Sequence, residues 1–293
     1  MRYLVTGGTG FIGRALCASL ASERHRVTIL SRAPDRAGRD LHAGIQVVSR
    51  IEDVEPVDVV FNLQGENLTS ARWTEPRKLA IVNSRVDFTR ALVEWIGSRP
   101  CPPAALVNAS AVGWYGDRGD EVLTETSTPG SGFAAELCAD WEAEAQRAEI
   151  LGVRVCRARL GVVLDRGGGA LARMLPAFRL GAGGPLGSGD QWMSWISLRD
   201  AVRLLRWLAD SQQRGAFNAT SPQPVRNRDF TRALSRRLKR PALLPMPAFA
   251  LRTMFGEMSG LLLGSQRVLP DAARAGGFEF EHPTLSAALE AAL

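Results

Sequence analysis

Arg2-Tyr-Leu-Val-Thr6, then Gly7-Gly-Thr-Gly10-Phe-Ile-Gly13, then Arg14-Ala-Leu-Cys-Ala-Ser-Leu20: this opening stretch decides the fold. A short apolar run stops at Thr6, and glycines follow at positions 7, 10 and 13. Phe11, Ile12, Ala15, Leu16 and Leu20 then recur with a helical period. A strand that turns through glycines into an amphipathic helix is the dinucleotide fingerprint, here as a GxxGxxG variant of GxGxxG. One glycine permits the tight turn, another lets the backbone approach a pyrophosphate, and the third lets helix and strand pack closely. The helix N-terminus then offers free N–H groups and a partial positive charge to phosphate. The alternative reading is a purely structural glycine turn.

Further strands are expected at 26–31, 45–48, 57–63, 104–109 and 153–160. Helices are expected at 75–96, ended by the proline cluster at 100–103, and at 133–151. Strand and helix alternate throughout, which calls for a parallel sheet covered on both faces. Beyond about residue 164 the chain becomes loop-rich, with glycines at 167–169 and through 181–189, and helices are expected at 198–211, 229–239 and 247–263. The expected fold is therefore α/β: a Rossmann-type doubly wound parallel sheet over 1–164, interleaved with a smaller, mainly helical C-terminal lobe over 165–293.

Composition narrows the classes. The 293 residues are 45% hydrophobic and 23% charged, which excludes collagen-like and disordered chains. A chain of this size buries about three quarters of its unfolded surface and needs no disulfides. No apolar run approaches the ~20 residues of a membrane span, so no membrane association is expected. The N-terminus shows no signal peptide, and a cytoplasmic protein is the expectation. No two of Cys17, Cys101, Cys138 and Cys156 lie two to four residues apart, so they read as free thiols rather than a zinc site. His25, His42 and His282 are scattered, and no metal site is expected. The net charge of +6 resides in residues 226–240, where seven basic residues face only Asp229. Phe230, Leu234 and Leu238 recur every four residues there, so the stretch reads as an amphipathic helix with a solvated basic face. A nucleic-acid patch is the lesser alternative.

The end of the second strand selects the cofactor. An acid there would bind the ribose 2′-hydroxyl of NAD. This chain has Ser31-Arg32, with Asp35 and Arg36 close by. A guanidinium pairs with a 2′-phosphate in fork geometry, so NADP(H) is the expected cofactor. The alternative is that Arg32 is an ordinary surface arginine.

The chain resembles the extended branch of the short-chain dehydrogenase/reductase superfamily, and more closely its atypical group of epimerase family proteins. The resemblance spans essentially the whole chain. It rests on Thr6-GGTGFIG13, Asn62-LQGENL68, Arg72-WT74, Ser84-Arg85, Ser110-AVGWYG116, Trp141-Glu142, Arg159-LGVVL164, Pro185-LGSG189, Trp195-Ile196, Asp200, Phe217-NATSPQPVRN227, Gly264-SQRVLP270 and Gly277-FEF280. It implies an NADP(H) site built from Gly7, Thr9, Gly10, Phe11, Ile12, Gly13, Ser31, Arg32, Leu63, Gln64, Gly65, Arg85 and Val163. It also implies a small C-terminal domain of unassigned function at about 245–293. Three positions depart from the group. Gln64 stands where a small residue is usual and would crowd the cofactor, Ser197 replaces a histidine, and Arg199 replaces a frequent acid beside Asp200.

The superfamily's chemistry needs a Tyr-x-x-x-Lys pair, in which lysine lowers the tyrosine pKa while tyrosine moves a proton. The chain has two tyrosines, Tyr3 and Tyr115, and glycine lies four residues after each. The pair is absent; register from Glu142 places Ala134 and Cys138 at its positions. Ala111 falls where the catalytic serine belongs. The resemblance implies that this loss is shared by the atypical group. Ser110 and Tyr115 are the remaining catalytic candidates, each with a structural alternative, local backbone bonding for the serine and packing for the tyrosine. Glu136 and Glu142, six apart, do not make a carboxylate pair on one face, and Glu142 reads as a structural hydrogen-bonding group. Cys138 lacks a sequence-adjacent cation to activate it. Trp192 and Trp195 either line a small polar or sugar-like substrate or form the core between lobes. The expected function is an NADP(H)-dependent oxidoreductase or epimerase acting on such a substrate, as monomer or homodimer; the alternative is a non-catalytic NADP(H) sensor or scaffold.

Overall fold

The computed structural model describes residues 1–34 and 44–293; Asp35, Arg36 and His42, named above, lie outside the described residues. The first part of the chain contributes β1 (Arg2–Thr6), α1 (Phe11–Ser22), β2 (Arg26–Leu30), β3 (Ile45–Val48), β4 (Val59–Asn62), α2 (Glu75–Val82) and α3 (Phe88–Gly97). Then come β5 (Ala105–Ala111), β6 (Val122–Leu123), α4 (Phe133–Gln146), β7 (Arg154–Leu160), β8 (Val162–Leu164) and α5 (Gly169–Arg179). The remainder comprises β9 (Trp192–Met193), β10 (Trp195–Ser197), α6 (Leu198–Asp210), β11 (Gly215–Ala219), β12 (Val225–Arg226) and α7 (Asn227–Leu238). It ends with α8 (Ala248–Phe255), α9 (Gly260–Leu263), β13 (Arg267–Val268), α10 (Asp271–Ala275) and α11 (Leu285–Ala292).

Seven strands pair in parallel in the order β11-β7-β5-β4-β1-β2-β3. Parallel strands covered on both faces must be apolar on both, and these are. Tyr3, Val5, Val59 and Phe61 pack with Leu16 and Leu20 of α1 and Val202 and Leu205 of α6. Their neighbours Leu4 and Val60 point the other way, onto Leu92 and Ile96 of α3 and Ala145 of α4. Each large side chain sealed this way contributes roughly 1.5–3 kcal/mol relative to exposure. The strand order reverses between β1 and β4, and in such sheets ligands bind in the crevice at that switch point, beyond the carboxyl ends of the strands.

The sheet does not stop at residue 164. Its edge strand β11 and the helix α6 both come from beyond that position and pack into the core of the sheet. Gly215-Ala-Phe-Asn-Ala219 carries no alternation that marks a strand, and its partner β7 supplies the missing information. The helix expected over 75–96 is a run with a π-helical turn at Asn83–Asp87 inside it. That turn inserts an extra residue into the ladder and re-aims Ser84 and Arg85.

The second lobe has its own core, in which Leu171 and Phe178 of α5 meet Trp195, Phe230 and Leu234 of α7, and Leu289 of α11. The basic stretch is amphipathic: Phe230 and Leu234 of α7 are buried while Arg232, Arg236 and Arg237 face solvent. The C-terminal region is sewn to the first part by β13, parallel to β6, and by Ala273 and Phe278, which join the sheet core. Among the described residues no helix is long and apolar enough to cross a membrane.

All four cysteines are free, three of them buried and Cys101 exposed. Burial pushes the Cys17 thiol up to about 12, and the Cys138 and Cys156 thiols up to about 11. A thiol held that far above neutral pH has almost no reactive thiolate. A thiol-reactive chromophore at pH 8 should therefore label one cysteine per native chain, rising to four in denaturant. Cys101→Ser should remove the fast site. Rapid labelling of two or more thiols in the native protein would contradict this packing.

Candidate functional site

The turn after β1 is shaped by close approach. Gly7 has φ of 69°, and a Cβ there would lie 2.5 Å from the Leu63 carbonyl oxygen in the loop after β4. A Cβ on Gly13 would lie 2.2 Å from the Gly7 carbonyl oxygen, so α1 can press against the turn only because position 13 is glycine. No side chain caps α1, whose first N–H groups follow Gly10. Uncapped amides, a positive helix end and a glycine cradle fit the pyrophosphate of a dinucleotide.

Around this turn opens a cleft of about 310 Å³. Eight expected residues line it: Gly7, Thr9, Gly10, Ser31, Arg32, Leu63, Gln64 and Gly65. Arg32 reaches into solvent with its side chain 87% exposed, and Glu66 Oε1 lies 3.6 Å from its Nη2. The other expected residues support from behind. Gly13 carries the contact just described. Phe11 lies under Gly168 and Gly169, where a Cβ on Gly168 would meet its ring at 2.4 Å. Ile12 and Val163 pack with Ile196 and Ala201.

Arg85 adjoins the cleft through Gly65, where a Cβ would lie 2.6 Å from its Cζ. Its Nη2 donates to the Glu66 carbonyl at 3.0 Å, and its Cζ sits 5.3 Å from the Trp141 ring centroid. Burial lowers its pKa to about 10, which leaves it charged at neutral pH. Beneath the cleft lies a sealed polar belt at the strand ends. Thr6 donates to Asn62 at 2.6 Å, and Asn62 donates to Asn108 at 2.6 Å and Thr89 at 2.8 Å. Such groups are tolerated inside a sheet because each finds a partner.

The two catalytic candidates belong to a second, fully buried cluster. Glu142 of α4 and Arg159 of β7 form a bidentate pair, Nε to Oε1 at 2.8 Å and Nη2 to Oε2 at 2.9 Å, with both side chains 4% exposed. Ser110 donates to Glu142 Oε1 at 2.7 Å. Arg159 Nη1 donates to the Tyr115 hydroxyl at 3.0 Å, and that hydroxyl donates to Asn218 Oδ1, 2.7 Å away. The Trp114 ring centroid lies 3.5 Å from Arg159 Cζ, a cation–π contact on the guanidinium face. Burial pushes the Tyr115 phenol above its usual pKa. Ser110 and Tyr115 are thus brought together, but as supports of an ion pair. Their exposures of 2% and 0% leave neither hydroxyl facing the cleft. The structural alternative for each is therefore visible here, Ser110 bonded to Glu142 and Tyr115 bonded to Arg159 and Asn218.

The remaining candidates separate cleanly. Cys138 is buried beside Gly113. Trp195 is core, its indole N–H donating to the Gln223 carbonyl at 3.0 Å. Trp192 is half-buried between Arg226 and Arg267, and donates to Asp120 at 2.7 Å. Ser197 caps α6 by accepting from the Asp200 N–H at 3.1 Å, and His282 reaches it from the C-terminal region, Nδ1 to Oγ 3.0 Å. Arg199 pairs with Glu281. Glu66, Ser84 and Arg159 lie in segments that carry the resemblance but have no role assigned from sequence, and Ala33 of the cleft lining is not named there. The available signal was an arginine amid the apolar residues of β7, which calls for a buried partner.

A profile of the NAD dependent epimerase/dehydratase family matches residues 3–219, and a profile described as a domain of unknown function (DUF1731) matches residues 246–292. The chain is 41% identical over 292 residues to an epimerase family protein of Mycobacterium bovis, covering 97% of this chain and 95% of that protein. It is 40% identical over 301 residues to the chloroplastic epimerase family protein SDR39U1 homolog of Arabidopsis thaliana, covering 99% and 86%. Among solved structures, human epimerase family protein SDR39U1 with NADPH superposes with a TM-score of 0.91 at 34% identity, covering 100% of this chain and 99% of that one. A nucleoside-diphosphate sugar epimerase from Corynebacterium glutamicum gives 0.78 at 33% identity, covering 100% of this chain and 58% of that one.

Removing one partner of a buried ion pair leaves an uncompensated charge, at a cost of roughly 3–5 kcal/mol. Glu142→Gln should therefore lower unfolding stability by about that amount in urea titrations. Ser110→Ala, which leaves the ion pair whole, should cost only about 1 kcal/mol. A Glu142→Gln loss below about 1 kcal/mol would show that the pair does not hold the fold.

Proposed function

Because the chain belongs to the NAD dependent epimerase/dehydratase family, we propose that it is an NADP(H)-binding oxidoreductase or epimerase of a small polar or sugar-like substrate, working without a Tyr-x-x-x-Lys pair. The observation that carries this reading is Arg32, exposed at the end of β2 in the cleft that the Gly7–Gly13 turn opens. No acid follows β2 directly to repel a 2′-phosphate or to claim a 2′-hydroxyl. The human relative's structure, solved with NADPH, supports the same choice.

Bound there, NADP(H) supplies or accepts a hydride at a carbon of the substrate. The chain's own residues divide the work of holding it. The amides opening α1 receive the pyrophosphate, Arg32 pairs with the 2′-phosphate, and Ser31 and Leu63–Gly65 wall the cleft. Arg85, a half-buried cation with no carboxylate bonded to it among the described residues, adds positive charge beside Gly65. Its hydrogen bonds go to a carbonyl and the Ser84 hydroxyl. Hydride transfer also needs a proton donor or acceptor, and Tyr115 and Ser110 could serve only by giving up their bonds in the ion-pair cluster. The four free thiols suit a reducing compartment such as the cytoplasm.

A second reading has an observation of its own. The saturated hydroxyls of Ser110 and Tyr115 equally suit a protein that binds NADP(H) to report it or to present a surface, with no turnover. The two readings share the cofactor and differ in whether hydride leaves it.

Calorimetric titration with NADPH, NADP+, NADH and NAD+ tests the shared part. NADPH should bind at least ten times more tightly than NADH, and Arg32→Ala should remove most of that margin, about 1–2 kcal/mol for a charge-assisted contact at an exposed site. Equal affinity for the phosphorylated and unphosphorylated forms would sink the Arg32 assignment.

A further inference from the structure

Resting on the reading of the cleft as an NADP(H) site, we propose that Glu66 tempers its selectivity. Its carboxylate competes with a cofactor 2′-phosphate for Arg32, and it offers a 2′-hydroxyl the acceptor that the end of β2 lacks. Glu66 comes from the loop after β4, thirty-four positions from Arg32, yet both line the same cleft. Its two oxygens are divided between two arginines, Oε1 lying 3.6 Å from Arg32 and Oε2 3.2 Å from Arg77.

These two arginines differ in freedom. Arg77 is 19% exposed in its side chain and is anchored to the loop itself, donating to the Asn67 carbonyl at 2.5 Å and to Ser70 Oγ at 2.7 Å. Arg32 is 87% exposed, and its pairing with Glu66 is long. The Glu66 backbone is also fixed, its N–H donating to Ser84 Oγ at 2.9 Å. A rooted carboxylate therefore stands beside an exposed, loosely paired guanidinium.

The consequence follows from charge. A phosphate drawn to Arg32 arrives within a few ångströms of a carboxylate that Arg77 neutralises only in part, and like charges at that range repel. A ribose bearing a hydroxyl has no such conflict. It can donate to Glu66 as it would to an acid at the end of β2. Selectivity then depends on how firmly Arg77 holds Glu66 back. The chain should prefer NADPH, while keeping a measurable affinity for NADH that a cleft without Glu66 would lack.

The test is the ratio of NADPH to NADH dissociation constants, read from the fluorescence of bound reduced nicotinamide. Both forms use the same glycine cradle, so a general loosening of the loop cancels in the ratio. Glu66→Gln keeps the side-chain shape and the Ser84 contact. It should tighten NADPH about ten-fold and weaken NADH about three-fold. Arg77→Met, which releases Glu66 toward Arg32, should shift the ratio the opposite way; thermal melts of both variants confirm that they are folded. A ratio that stays fixed or rises in Glu66→Gln, with wild type binding NADPH, overturns this proposal alone. Failure of wild type to bind either dinucleotide overturns the reading of the cleft on which it rests.

Discussion

One guanidinium holds the two halves of this molecule together. Arg159 sits on β7 with its edge against Glu142, its face against Trp114 and its Nη1 donating to Tyr115. A buried charge is tolerated only when fully paired, so everything around it must stay in place. The chain of contacts then runs on. Asn218 of β11 accepts from Tyr115 and donates to the Leu269 carbonyl at 2.8 Å, and its backbone N–H donates to Glu125 at 2.8 Å. Glu125 in turn accepts from the Ala272 N–H at 3.2 Å. Sheet, helix α4 and C-terminal region are therefore tied to one another through one connected polar cluster.

That constraint explains why the positions nearest the superfamily's chemistry are occupied as they are. Where a mobile tyrosine and a lysine would project from the helix, α4 presents Ala134 and Cys138, and the nearby hydroxyls serve the ion pair. The cofactor side is under no such demand. Its cradle is made of backbone, glycine and a long exposed arginine, none of which takes part in the cluster. One site can thus keep the geometry for a dinucleotide while the hydroxyls of the other are bonded within the cluster.

Much of this was legible in the sequence, for physical reasons that differ by element. β1 and α1 were readable because strand, glycine spacing and helical period all act locally. Ser31-Arg32 was readable because the end of β2 is fixed by that same unit. β11 was not, since Gly215-Ala-Phe-Asn-Ala219 becomes a strand only by pairing with β7. The π turn at Asn83–Asp87 was invisible, because one extra residue in a helical ladder leaves the apolar spacing nearly unchanged. The roles of Glu66 and Arg159 were missed for a common reason. A charged residue declares its partner only in three dimensions, and theirs lie far away in sequence. Trp192 and Trp195, alike on paper, are told apart by packing alone, one in the core and one clasped between arginines at the lobe's edge.

The cofactor cleft stands open while Ser110 and Tyr115 are held in the ion-pair cluster. A crystal structure of the chain soaked with NADPH puts both to the test at once. Density is expected for the pyrophosphate over Gly10–Gly13 and for the 2′-phosphate beside Arg32, with Tyr115 still bonded to Arg159 and Asn218. A Tyr115 or Ser110 hydroxyl swung out to the nicotinamide, or a cofactor seated away from the glycine turn, would refute this arrangement.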